Sequence, residues 1–176
     1  MKLFLLFGVS VSLASQLRAE DSANIRTAGE VVLHFEHRIE VPEIKRLNEE
    51  GVLELFPGDT VHLEFQLIDG SLVNPKVVEA VKHPGRTITF KMKQDFETTI
   101  LSRSTGIQQT VAFDCVHRDI SSREFFPTTL RPTEKGLSSF DSWPNTVWIL
   151  RLSNIRVTDK SASEVYDSYY SDNDDG

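Results

Sequence analysis

An antiparallel β-sandwich is the fold this sequence predicts, and three observations predict it. Apolar residues recur at every second position in several separate runs, the period of a half-buried strand. Gly- and Pro-containing turns separate those runs. No long stretch carries the helical period, so only one short helix is expected. With 176 residues, the chain has room for one globular domain with short flanks.

The elements are taken in chain order. Over 30–41, Val31, Leu33, Phe35, His37, Ile39 and Val41 alternate with Glu30, Val32, His34, Glu36, Arg38 and Glu40. One face is apolar and the other mostly charged, which predicts a single long strand. Pro42 and Gly51 then bracket a predicted helix over 42–50, with Ile44 and Leu47 as its buried residues. A short strand is expected at 52–56. The turn Pro57-Gly58-Asp59 leads into 60–68, where Val61, Leu63, Phe65 and Leu67 share a face. Further strands are expected at 76–82, 86–93 and 108–116. The last, 146–157, begins as a nearly continuous apolar run and so reads as central. Residues 118–145 break the rhythm: they hide a short hairpin or form a functional loop. The Ser-, Asp- and Tyr-rich end, 158–176, reads as an acidic disordered tail, or as a docking tail using Tyr166, Tyr169 and Tyr170.

The run Pro57-Gly58-Asp59-Thr60-Val61-His62-Leu63-Glu64-Phe65 resembles strand beginnings in immunoglobulin-like and cupredoxin-like sandwiches. With seven or so strands, an Ig-like topology is the first expectation, and a jelly roll or a small barrel is the alternative. The Cys…Trp…Cys spacing of antibody domains is absent, since the chain has a single Cys.

Residues 1–19 supply an address. Lys2 gives a positive start, Leu3 to Ala14 is apolar apart from Ser10 and Ser12, and Ala19 is a small residue before Glu20-Asp21. This is the layout of a secretory signal peptide, too short to span a bilayer comfortably. An exported protein, periplasmic or secreted, is expected, with 20–157 as its β-sandwich domain. A lone Cys cannot form an intramolecular disulfide, and no Asn-x-Ser/Thr acceptor occurs. Both absences lean toward a bacterial envelope.

Charge narrows the function. There are 19 Lys plus Arg against 26 Asp plus Glu, a net charge of -7. That balance argues against nucleic acid as a partner. Six of the acids lie in 158–176, where only Lys160 opposes them.

Chemistry is sparse. His34 and Glu36 share a strand face, and His62 would join them as a metal site if their strands paired. Otherwise the three belong to a solvated polar face, and His37 reads as a buried histidine. A blue-copper set of Cys115, His117, His83 and Met92 lacks the loop order that such a site requires. Cys115 reads better as a small buried hydrophobe. There is no Gly-x-Ser-x-Gly elbow and no Gly-rich phosphate loop. The acidic end lacks the ligand order of a calcium loop. No cofactor or metal is therefore expected, and the chain reads as non-enzymatic; the alternatives are a metal-binding module using His34, Glu36 and His62, or a small hydrolase with an unrecognised site. The candidate partner-binding residues are Phe125, Phe126, Arg131, Phe140 and Trp143, because aromatic and Arg side chains in loops are the usual interface anchors. The alternative is that the aromatics cap the core. The expected partner is a protein or glycan of the envelope.

Overall fold

The computed structural model describes residues 22–33, 38–96 and 98–171. The leader segment 1–19, the ligand candidates His34 and Glu36, and His37 lie outside the described residues.

Two antiparallel sheets pack face to face. The larger has the order β12(Ser138–Trp143), β9(Thr98–Thr105), β8(Thr87–Asp95), β6(Thr60–Ile68), β7(Ser71–Val78). The smaller runs β11(Phe126–Thr128), β10(Thr110–Asp119), β13(Val147–Thr158), β5(Leu53–Leu55). The alternating residues of 60–68 and 86–93 land as expected. Val61, Leu63, Phe65, Ile88, Phe90 and Met92 turn inward against Leu55, Val111, Phe113, Leu150 and Leu152. This order defines a sandwich of antiparallel sheets without singling out the immunoglobulin topology.

β13 shows how a strand can serve two cores. Its register against β10 slips twice. One slip inserts Trp148 between the pairs Arg118–Ile149 and Asp119–Val147. The other falls at Asn154, whose φ of 47° is left-handed. Each inserted residue reverses the face assignment of the residues after it. Val147, then Leu150 and Leu152, then Ile155 and Val157 can therefore all face the main core. Trp148 and Ile149 point the other way. There they join Phe56 under Val31, Leu33 and Val41, in a second small core on the outer face of the smaller sheet. The Phe56 and Trp148 rings meet edge-on at 5.2 Å.

That second core is roofed by a hairpin, which corrects the single strand expected over 30–41. β2(Gly29–Val32) and β3(Arg38–Val41) pair antiparallel, with Val31 opposite Ile39 and Gly29 opposite Val41. The pairing joins odd positions to odd positions, so Val31, Ile39 and Val41 share one face of the two strands and keep the period-two pattern of a single strand.

The helix expected over 42–50 is also absent. Ile44–Lys45 form β4 and pair with β1(Ile25–Arg26). The Asn48 side chain accepts from the Glu50 and Val52 amides, and Gly51 takes a φ of 76°. Pro42 and Gly51 therefore mark turns, and nine residues are too few to hold a helix without packing support.

β9 was not anticipated. Its inward residues are Thr99, Leu101, Arg103 and Thr105, so only one of them advertises a core. The irregular 118–145 segment supplies β11 to one sheet and β12 to the other. The hairpin alternative does not hold for these two strands, because they pair with β10 and β9 respectively. The tail reading is corrected as well: Ala162–Ser171 form a helix, α1. Ser161 and Glu164 close a reciprocal capping box, and Ala162 and Val165 are buried against the sandwich.

Candidate functional site at the open edge of the sandwich

β11 and β12 are edge strands of opposite sheets, and they meet at one side of the sandwich. The Trp143 Nε1–H donates to Thr128 Oγ1 at 3.2 Å, linking the two edges. His117 on β10 lies behind them, 6.2 Å from the Trp143 ring and 6.1 Å from that of Phe126. Its Nε2 is 3.6 Å from an Asp119 carboxylate oxygen. Phe126 is 42 % exposed and forms the apolar rim of this aromatic floor.

The five predicted partner-binding residues do not form one patch. Phe126 and Trp143 come together, but Trp143 is only 9 % exposed and belongs to the core. Phe125 lies on the outer face of the smaller sheet, beneath the Arg151 guanidinium at 4.0 Å and the Arg118 guanidinium at 5.4 Å. Phe140 projects from the outer face of the larger sheet and is 69 % exposed. Arg131 reaches toward the helix, over the Tyr166 ring at 5.5 Å. Strand alternation causes this dispersal, because neighbours in sequence point to opposite faces.

Beneath the rim sits a buried polar group that inspection of the sequence missed. The Arg103 side chain is fully buried and donates to Asp141 through Nη2 and to Ser139 through Nε, the latter at 3.2 Å. Its guanidinium lies 5.4 Å from the Phe113 centroid. Burial lowers the Arg103 pKa, and the Asp141 carboxylate opposes that shift. Cys115 shares this region. Burial pushes its thiol up to about 12, with Arg103 pulling in the other direction. Such a thiol is protonated at neutral pH and is a poor nucleophile.

Of the His34, Glu36 and His62 set only His62 is described, and the blue-copper residues are spread over separate elements. His62 donates to or accepts from Thr89 Oγ1 at 2.8 Å on β6, which pairs with β7 and β8. It does not pair with the β2–β3 hairpin, so the strand contact that would have made His62 a third ligand is missing. Cys115 and His117 share the inward face of β10. His83 lies in a cleft with Glu64, Lys76 and Arg86, and Met92 packs in the core of the larger sheet. Among the described residues, no three His, Cys, Asp or Glu side chains are placed to hold a metal ion together. No described helix is long and apolar enough to cross a membrane.

Fold and site together define an all-β domain of two packed antiparallel sheets with an aromatic rim at one open side. No family model matches the chain, and neither a curated protein nor a solved structure matches it.

Proposed function

We propose that this chain is an exported, non-enzymatic β-sandwich domain that binds a protein partner in the cell envelope through the rim at Phe126. The observation that carries the reading is Phe126 itself. It is a large aromatic side chain left exposed on a short edge strand, backed by His117 and Trp143. A solvent-facing aromatic seated on a rigid floor is the usual form of an interface anchor. The acidic and basic groups of the interior serve architecture: Arg103 pairs with Asp141, Asp59 with Arg26 and Arg46, and Glu64 with Arg86. Export rests on the leader-like layout of residues 1–19.

Photo-crosslinking in cells that export the protein tests this. A photoreactive residue at position 126 should trap a discrete protein, whereas one at exposed Glu49 should not. Equal labelling from both positions, or mature protein retained in the cytosol, would refute the proposal.

A further inference from the structure

We infer that the outer edge of β12 joins two copies of this chain in a weak, two-fold symmetric dimer, with Phe140 on the axis. An exposed strand edge offers unpaired N–H and C=O groups to any other strand, and folded proteins normally protect it. Three of the four edges in this sandwich are protected. β5 is covered by the preceding segment, where the Glu54 N–H donates to the Arg46 carbonyl at 2.7 Å and Leu47 bridges to Leu53. β11 is three residues long and contains Pro127. β7 is bulged at left-handed Asn74, is followed there by Pro75, and carries Lys76.

β12 has none of these devices. It is six residues long, Ser138-Ser139-Phe140-Asp141-Ser142-Trp143, without Pro, Lys or Arg. The Thr105 N–H donates to the Leu137 carbonyl, which fixes the odd positions of this strand as those bonded toward β9. The N–H and C=O groups of Ser138, Phe140 and Ser142 therefore point away from the sheet, and no described backbone group pairs with them.

Charge and symmetry identify the occupant. A chain of net charge -7 resists self-association wherever its acids are exposed. The only charge on β12 is Asp141, and it turns inward to Arg103 of the same chain. The edge is thus locally neutral. A two-fold axis at Phe140 sets Ser138 against Ser142 and Phe140 against its own counterpart. Every outward backbone group is then bonded, and the aromatic side chains pair on one face. An isologous contact of this kind is self-complementary and closes at two copies. A pairing so short buries less than the roughly 1,200 Å² of a stable interface, so a concentration-dependent dimer in the micromolar range is expected.

Sedimentation velocity on purified protein tests this without any other partner. The parent chain should shift from monomer to dimer as its concentration rises through the micromolar range. Phe140→Lys sets like charges face to face, and Ser142→Pro removes an outward N–H that β9 does not use. Both should remain monomeric, while Leu67→Lys, an exposed position on β6, should behave as the parent. Each variant's melting curve checks folding. Under mild oxidation, Phe140→Cys should form an interchain disulfide faster than Ser142→Cys. A parent that is monomeric at every concentration overturns the inference and leaves the edge to a strand of another protein. A dimer indifferent to Phe140→Lys and Ser142→Pro overturns it too.

Discussion

The Arg103 guanidinium donates to the Asp141 carboxylate from inside the sandwich, across the boundary between β9 and β12. The two partners are not equivalent. Arg103 is sealed from solvent, whereas the Asp141 side chain keeps 20 % of its exposure. Removing the acid strands a buried cation; removing the base leaves a carboxylate that water can still reach. Asp141→Ala should therefore destabilise by roughly 3–5 kcal/mol, and Arg103→Met by clearly less. Urea unfolding curves measure both, and an Asp141→Ala variant with the parent midpoint would refute this.

Cys115 provides a pH-dependent readout of the same region. Its folded-state pKa is raised, to about 12 from an ordinary 9.0. The stability tied to this shift is fully present below pH 9. It is lost as pH rises toward 12, because the unfolded thiol ionises first. The alkaline fall in the urea midpoint should be smaller in Cys115→Ala. At neutral pH, alkylation of the native thiol should be slow and should rise steeply on unfolding. Native labelling at the unfolded rate would show that the thiol is open to solvent.

How much of this fold was legible in the sequence depends on which residues point inward. The strands around Val61, Leu63 and Phe65, and around Ile88, Phe90 and Met92, were plain because one face is entirely apolar. β9 was hidden because Thr99, Arg103 and Thr105 fill inward positions that a pattern search expects to be apolar. β13 read as a central strand, and it is one, between β10 and β5, but its apolar run comes from a bulge that divides side chains between two cores. The rim was half legible. Aromatic residues were visible in 118–145, but the alternation that sends Phe125, Phe126 and Phe140 to different faces needed the strands to be known. For α1 the signal was present: Ser161 and Glu164 have capping-box spacing, outweighed by the acidic composition around them.

Asp59 ties the N-terminal strands to the sandwich. Its carboxylate meets Arg26 at 3.3 Å and Arg46 at 3.1 Å, and accepts from the Phe56 amide at 2.9 Å. Arg26 and Arg46 flank the small β1–β4 sheet, so one buried acid holds both ends of it. Asp59→Ala removes the shared partner of two mostly buried cations and should cost about 3 kcal/mol or more. Limited proteolysis should then cut first within 22–28, ahead of any global unfolding. Protection there equal to that of the parent chain would show that other contacts hold the segment.

α1 should detach in acid. The Glu164 carboxylate accepts from the Ser161 hydroxyl at 2.7 Å and the Ser161 amide at 2.8 Å, and these bonds hold its pKa below the ordinary value of 4.5. A lowered pKa favours the folded cap above the ordinary value, and that contribution disappears as pH falls through the lowered one. The apolar anchorage is small, chiefly Ala162 and Val165, so the cap weighs heavily in the balance. The acid also sits in the first turn, where the helix dipole favours negative charge. Hydrogen exchange at the amides of 165–170 should be protected at neutral pH and lose protection at low pH, before the strands of the sandwich do. Ser161→Ala should show the same loss at neutral pH, and Val165→Asp should abolish protection at any pH. Amides that stay protected in acid in the Ser161→Ala chain would show that packing alone holds the helix in place.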